Sequence, residues 1–165
     1  MNSGVLGLHL LFFAGFLLQR AIDSLTLSPY IGIHFVLLLT VACGLFRGPL
    51  PAEGMGFVWG LALDSVGATP FGMQGLALTL VGYLSGVFSR WIDSEEPLVQ
   101  FAFSCAGSLF FFVTLGLLGA LIEGPGRGEA ASRALALSAF NTAAGPVVFA
   151  GFRWAGLAVT ARRGR

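Results

Sequence analysis

One carboxylate in an apolar segment is the clearest candidate for chemistry in this sequence. Asp64 lies in the run GFVWGLALDSVGATPFG, from Gly56 to Gly72, whose other members are apolar residues, glycines and small polar groups. A charged aspartate in the middle of a membrane helix costs about 2.5–3.5 kcal/mol, so such residues usually have a function. Asp64 comes eleven residues after Glu53, about 16 Å along a helix, so we expect it near the end of its helix.

Two roles are open for Asp64. At the C-terminal end of its own helix the carboxylate faces the negative end of the helix dipole, so other groups must stabilise it. The nearest donors are the backbone N–H groups between Gly67 and Gly72, at the start of the next helix. Asp64 would then tether this turn and lock the third and fourth helices into a hairpin. In the other role, its carboxylate pairs with a residue of a partner protein or with a transported ion.

The residue patterns of common enzyme and cofactor sites do not occur in the sequence. It contains no HExxH metal pair, no GxSxG nucleophile elbow and no glycine-rich phosphate loop followed by lysine. His9 and His34 occur singly, each within a predicted helix, and Cys43 and Cys105 lie far apart in apolar runs. We therefore expect no catalytic activity, no metal and no cofactor, and we expect both cysteines to be small packed helix residues.

The composition of the chain is typical of a membrane protein. Of its 165 residues, 56% are hydrophobic and 10% are charged, whereas a typical soluble domain has about 25% charged residues. There are 16 Phe and no Lys, so too few polar residues are present to cover a soluble surface. The net charge of +1, with no basic aromatic patch, argues against a nucleic-acid partner.

Six apolar runs approach the length of about 20 residues that spans the hydrocarbon core of a bilayer. Their approximate bounds are Gly4 to Gln19, Tyr30 to Phe46, Ala52 to Val66, Phe71 to Ser89, Leu98 to Ile122 and Ala134 to Phe152. Short segments with turn residues separate them, and Thr69 is the expected N-cap of the fourth helix, with Pro70 at its first position. We predict a single all-α domain over residues 1–165, a polytopic integral membrane protein with six transmembrane helices.

The arginine distribution predicts the orientation of these helices. With the N-terminus in the cytoplasm, six arginines lie on the inner side and three on the outer side. The inner ones are Arg47, Arg90, Arg153, Arg162, Arg163 and Arg165, and the outer ones are Arg20, Arg127 and Arg133. Both termini are therefore expected in the cytoplasm, and the basic tail is expected to bind anionic lipid headgroups. The first run lacks a preceding positive region and a cleavage site, so we interpret it as a spanning helix.

Two small-residue motifs predict close helix packing. Gly56 with Gly60, and Gly82 with Gly86, each form a GxxxG pair. Such pairs let two helix backbones approach closely inside a membrane, where packing drives helix association. We therefore expect a tightly packed helix bundle.

The segment around Asp64 resembles the rod shape-determining protein family MreD. The resemblance rests on an ordered set of residues: Gly56, Phe57, Gly60, Leu61 and Asp64, then Gly72, Leu76, Gly82, Tyr83 and Leu84, with Arg47 and Pro49 upstream. This set covers about forty residues, and the rest of the chain matches the family in length, hydropathy and helix number.

The resemblance implies a non-catalytic protein of the bacterial inner membrane. Members of the MreD family bind the bitopic protein MreC and work with the actin-like MreB, the RodA glycosyltransferase and its partner transpeptidase. The implied role is an adaptor that couples the cytoplasmic filament to peptidoglycan synthesis, with the hairpin as a rigid surface for the MreC helix. The structural or partner-interface candidates are then Gly56, Phe57, Gly60, Asp64, Gly72, Gly82 and Tyr83.

A second resemblance is to the substrate-binding S components of energy-coupling-factor vitamin transporters. These are six-helix membrane proteins of similar size, with glycine-rich helices and a similar Gly-Leu-x-x-Asp turn, and we expect their arrangement of helices here. An S component should line an outward cavity with polar and aromatic residues. The polar residues expected in the outer halves are few, namely Gln19, Asp23, Asp64, Gln74 and Asn141. Their scarcity favours the adaptor, and vitamin binding is the alternative function.

Overall fold

The computed structural model describes residues 3–25, 32–67, 69–123 and 129–155. Over these residues the chain forms six α-helices, one short 3₁₀ turn and no strand. The helices are α1 Ser3–Leu25, α2 Phe35–Arg47, α3 Pro49–Val66, α4 Met73–Phe88, α5 Pro97–Glu123 and α6 Glu129–Trp154. The all-α prediction is confirmed for the described part of the chain, with one helix in each of the six predicted runs.

Three of the described helices are long and apolar enough to cross a membrane. They comprise Gly4–Leu25, Pro97–Ile122 and Ser132–Trp154. The other three, α2, α3 and α4, have 13, 18 and 16 residues. At 1.5 Å per residue they are about 20, 27 and 24 Å long, against about 30 Å of hydrocarbon core. Membrane-spanning helices are therefore supported in three of the six predicted runs, among the residues that the structure describes.

Helix α2 is the centre of the bundle. All its residues from Val36 to Phe46 are buried, because the helix is apolar on every side and packs against α1, α3, α4, α5 and α6. The helix begins at Phe35, and His34 occupies the position just before it. The prediction that His34 lies within a helix is therefore wrong.

Helices α3 and α4 form an antiparallel hairpin with very little space between their backbones. Four residue pairs face one another along it: Pro49 with Gly86, Ala52 with Gly82, Gly56 with Leu78, and Gly60 with Gly75. We call these eight residues the glycine seam. A Cβ added to Gly60 would lie 2.5 Å from the Cα of Gly75, which is closer than real side chains approach. Both predicted GxxxG pairs lie in this one interface, and the prediction of close packing is confirmed.

Helices α5 and α6 pack against each other and against α2. Gly145 of α6 lies against Ser104 of α5, and a Cβ on Gly145 would overlap the Ser104 hydroxyl. The rings of Phe149 and Phe152 are fully buried, with centroids 6.5 and 5.9 Å from that of Phe46 in α2. These contacts attach the second half of the chain to the core.

The two cysteines are packed helix residues, as predicted. Cys43 is buried in α2, Cys105 is partly buried in α5, and neither is in a disulfide. The basic tail, for which we predict an interaction with lipid headgroups, lies outside the described residues, as does Arg127.

Candidate functional site

Asp64 lies in the last turn of α3, where the distance from Glu53 predicts it. Only 5% of its surface is exposed, and the helix ends two residues later at Val66. A buried carboxylate needs several hydrogen-bond donors, because losing its water without replacement is costly. Its surroundings therefore define what this residue does.

Four residues of the following turn and of α4 donate hydrogen bonds to the Asp64 carboxylate. Oδ2 accepts the backbone N–H groups of Gly72 at 2.9 Å and Gly75 at 3.1 Å. The N–H of Gln74 is shared between the two oxygens, at 3.1 Å from Oδ2 and 3.2 Å from Oδ1. Oδ1 also accepts the Thr69 hydroxyl at 3.0 Å. The predicted tether between α3 and α4 is confirmed, although two of its three backbone donors, Gln74 and Gly75, lie beyond the expected range of Gly67 to Gly72.

These hydrogen bonds provide acceptors for the free backbone N–H groups at the start of α4. The first N–H groups of an α-helix lack an acceptor within the helix, and in α4 they belong to Gly72, Met73, Gln74 and Gly75. Three of them donate to Asp64, and the Met73 N–H donates to the Pro70 carbonyl at 3.3 Å. Asp64 thus caps a helix to which it does not belong, and its charge lies at the positive end of the α4 dipole.

The predicted N-cap of α4 is wrong. The cap is Gly72, and the helix begins at Met73 rather than at Pro70. The Gly72 N–H, which an N-cap at Thr69 would bind, donates to Asp64, while the Thr69 hydroxyl donates to Asp64 and accepts from the Gln74 side chain. Gly72 has a φ of +96°, in the left-handed region that favours glycine. That conformation turns its N–H toward Asp64.

Gln74 stabilises the site through a second hydrogen bond, from its side chain to Thr69, and the sequence analysis missed this role. Its side-chain Nε2 donates to Thr69 Oγ1 at 2.9 Å, while its backbone N–H donates to Asp64. Gln74 therefore holds the Thr69 hydroxyl in place. The sequence feature that could have indicated this role is a polar residue just after an Asp-bearing turn, in an otherwise apolar helix.

The hydrogen bonds of this site lie within the α3–α4 hairpin. Both oxygens of Asp64 are engaged by donors of its own hairpin, which accounts for its burial without a partner residue or an ion. Among the described residues, no three His, Cys, Asp or Glu side chains are grouped so that they could hold a metal ion.

The other predicted site residues divide into buried glycines and exposed aromatics. Gly56, Gly60 and Gly82 lie in the glycine seam, whereas Phe57 and Tyr83 are 50% and 48% exposed. Each aromatic residue directly follows a seam glycine, and one residue is about 100° of helix rotation. In an antiparallel pair this rotation leads to the same side of the hairpin. Leu76, which follows Gly75, lies there too and is 47% exposed. We call Phe57, Leu76 and Tyr83 the hairpin face.

A second helix start is also capped by side chains from other helices, and sequence analysis did not predict it. The His34 N–H donates to Asn141 Oδ1 of α6 at 2.8 Å, and the Val36 N–H donates to Gln19 Oε1 of α1 at 3.3 Å. The Gln19 Nε2 is 3.3 Å from His34 Nδ1. The sequence shows two amide side chains, Gln19 and Asn141, within apolar runs, but no local pattern relates them to the start of α2.

Over the described residues, fold and site together define an all-helical protein with three helices long and apolar enough to span a membrane, in which buried polar side chains cap the helices α2 and α4. Comparison of the chain with protein-family models, with curated proteins and with solved structures found no match.

Proposed function

We propose that this chain is a non-catalytic adaptor of the bacterial inner membrane, similar to MreD, that binds the transmembrane helix of an MreC-like partner. In this role it crosses the membrane six times, with both termini in the cytoplasm, and helps to couple MreB filaments to peptidoglycan synthesis by RodA and its transpeptidase. Its function is to present a rigid surface inside the membrane.

The residues that carry the resemblance to MreD form one structural unit, which supports this proposal. Gly56, Gly60 and Gly82 pack the two helices together, while Asp64 closes the hairpin on the start of α4. A hairpin held in this way loses little conformational entropy when a partner helix docks on it, and such preorganisation favours binding.

The hairpin face is the single observation that carries the proposal. Phe57, Leu76 and Tyr83 are each about half exposed, on the side of the hairpin away from the seam. Large aromatic side chains on a rigid support are typical anchors of protein interfaces. The seam glycines are already in contact with the opposite helix, so they act on a partner only through the shape of the hairpin.

The polar side chains favour an adaptor over an S component. Of the five polar residues that were expected to line an outward vitamin site, Asp64 and Gln74 bond within the α4 cap, and Gln19 and Asn141 bond to the start of α2. The fifth, Asp23, forms an ion pair with Arg20 at 3.3 Å. Four of the five groups therefore hold the starts of α2 and α4 in place, whereas the exposed ion pair of Asp23 lies within α1.

Co-purification from native membranes tests the proposal. The tagged protein is solubilised in mild detergent, isolated, and the accompanying proteins are identified by mass spectrometry. We expect an MreC-like protein together with RodA and its transpeptidase. Recovery of the ATPase and coupling subunits of a transporter instead would establish the S-component alternative and refute the adaptor.

Substitutions on the hairpin face test the proposed surface. The double variant Phe57→Ala with Tyr83→Ala should lower the yield of the MreC-like protein at least several-fold, with little change in the Tm of the protein alone. The matched control is Phe101→Ala with Phe140→Ala, two phenylalanines on α5 and α6 that are each 42% exposed. Equal yields from both double variants would place the partner elsewhere.

Single cysteines test the proposed orientation in a background without Cys43 and Cys105. Glu95→Cys, in the exposed turn between α4 and α5, should react with a membrane-impermeant maleimide only in inverted vesicles. Asp23→Cys, near the end of α1, should react only in right-side-out vesicles. The reverse pattern would invert the topology.

A further inference from the structure

Three polar side-chain atoms in the middle of α5 and α6 are buried without a hydrogen-bond partner. The atoms are Ser108 Oγ, Ser138 Oγ and Asn141 Nδ2. The residues are 0%, 3% and 0% exposed. We call them the central polar cluster. Buried polar groups in folded proteins nearly always have a partner, so three of them in one region require an explanation.

The packing of α5 against α6 places the three side chains together. Gly145 lies against Ser104, which sets the register of the two antiparallel helices. Ser108 is one turn after Ser104, and Asn141 is one turn before Gly145, so Ser108 and Asn141 face each other at the same level. Ser138 lies three residues before Asn141, on the same side of α6.

The start of α2 supports the same placement. The His34 N–H donates to Asn141 Oδ1 at 2.8 Å, so His34 touches the cluster from the α6 side. Its ring centroid lies 5.9 and 5.2 Å from those of Phe111 and Phe112, which are one turn beyond Ser108 on α5. His34 therefore contacts both helices where the cluster lies.

The orientation of the Asn141 amide follows from its partner. An N–H group such as that of His34 can bond only to the oxygen of the amide, which identifies the other amide atom as the NH₂ group, and that group has no partner. That NH₂ group offers two hydrogens and needs an acceptor. The hydroxyls of Ser108 and Ser138 can each donate one hydrogen bond and accept others.

We infer that the central polar cluster binds one internal water molecule that bridges α5 and α6. A buried water typically makes about three hydrogen bonds to groups that otherwise lack partners, and this cluster supplies three such groups. The water accepts from Asn141 Nδ2 and exchanges hydrogen bonds with the two hydroxyls. An ion fits poorly, because none of the three side chains carries a charge to compensate one in a buried site.

The water completes a chain of hydrogen bonds through the core. It runs from Gln19 of α1 to His34 at the start of α2, on to Asn141 of α6, and through the water to Ser108 of α5. Four helices are then held by one polar network, as Asp64 holds the remaining two. This inference does not depend on the proposed adaptor function.

An experimental structure at about 2 Å resolution tests the inference directly. We expect density for one water at 2.7–3.2 Å from Asn141 Nδ2 and from at least one of the two serine hydroxyls. Hydroxyls that donate to carbonyls of their own helices, with no density between α5 and α6, would overturn the inference. A halide at this position, identified by its anomalous signal after replacement of chloride by bromide, would overturn it as well.

A matched pair of variants tests the energetic role of the water. Ser108→Ala removes a hydroxyl that bonds to the water, whereas Ser104→Ala removes an equally buried hydroxyl that donates to the Gln100 carbonyl in its own helix. We expect Ser108→Ala to lower the Tm by about 2–4 °C more than Ser104→Ala, the shift typical of one lost interaction in a chain of this size. An unchanged or higher Tm for Ser108→Ala would mean that the hydroxyl has no partner to lose, and would refute the bound water.

Discussion

The carboxylate of Asp64 accepts the backbone N–H of Gly75 at 3.1 Å, across a separation of 11 residues in the chain. This bond joins the last turn of α3 to the first turn of α4. Gly75 is also the residue against which Gly60 packs, with room for no side chain between them. At this end the hairpin is therefore stabilised twice, by a buried charge and by direct backbone packing, and substitutions can separate the two contributions.

Replacing Asp64 with alanine should destabilise the protein by several kcal/mol. The change leaves the N–H groups of Gly72, Gln74 and Gly75 without their acceptor; the Gly75 bond is buried and the other two are partly buried. Leaving a buried group unsatisfied costs about 1–3 kcal/mol. Asp64→Asn keeps one acceptor oxygen and should be intermediate. Thermal unfolding in detergent, followed by intrinsic fluorescence, measures the stability of both variants.

Asp93→Asn is the control, because Asp93 is exposed and its loss of charge should change stability by no more than about 0.5 kcal/mol. Equal effects at the two positions would contradict the cap.

Adding one methyl group to Gly60 should be far more harmful than adding one to Gly54 on the same helix. The Gly60 Cβ would meet the backbone of Gly75, which cannot move aside, whereas a Cβ on Gly54 has nothing within 4 Å. Overpacking typically costs about 1–3 kcal/mol, while alanine in an exposed helix position is favoured over glycine by up to about 1 kcal/mol. Gly60→Ala should therefore lower the Tm, and Gly54→Ala should leave it unchanged or raise it. If both variants shifted the Tm alike, the seam would not be close-packed in the native protein.

Substitution of Gly72 should lower the stability of the protein through the strained backbone conformation alone. A Cβ at this position has nothing within 4 Å, so no clash opposes it, but the φ of +96° is unfavourable for other residues. Gly72→Ala should cost about 1–2 kcal/mol, and Gly72→Asn less, because asparagine tolerates left-handed conformations better. Denaturant titrations of the two variants and the wild type measure the difference. An alanine variant at least as stable as wild type would show that Gly72 adopts another conformation.

The two side chains that cap α2 should act as a unit. Gln19 and Asn141 accept the N–H groups of Val36 and His34, which start the same helix. Once one acceptor is lost the helix start can fray, so the second loss should cost less than it does alone. A double-mutant cycle of Gln19→Ala and Asn141→Ala should give a coupling of about 0.5–3 kcal/mol.

The control for this cycle pairs Gln19→Ala with Gln100→Ala. Gln100 bonds to the carbonyls of Ser94 and Glu95 beside the start of α5 and shares no partner with Gln19. These two substitutions should be additive. Additivity in the Gln19 and Asn141 cycle as well would mean that the two caps are independent.

The sequence by itself determined the helical content, the membrane class of composition and the need to tether Asp64. These conclusions depend on local signals: long apolar runs, turn residues between them, and a carboxylate that cannot be buried without donors. The two GxxxG pairs likewise predicted close packing, because small residues are what permits it. For the same reason the donors of Asp64 were sought in the adjacent turn, where Gly72 and Thr69 provide two of them.

Only the tertiary structure decided which element each polar group serves. The start of α4 was misplaced because Asp64 of another helix, rather than the local Thr69 hydroxyl, accepts the N–H groups of Gly72 and Gly75. The caps of α2 could not be predicted, since Asn141 and His34 are 107 residues apart and no local pattern relates them. That the two GxxxG pairs face the same interface, and leave Phe57 and Tyr83 on one outer face, also follows from the antiparallel packing of α3 on α4. Local chemistry states what a buried group requires, but packing selects the partner because several donors or acceptors of the right kind compete for it.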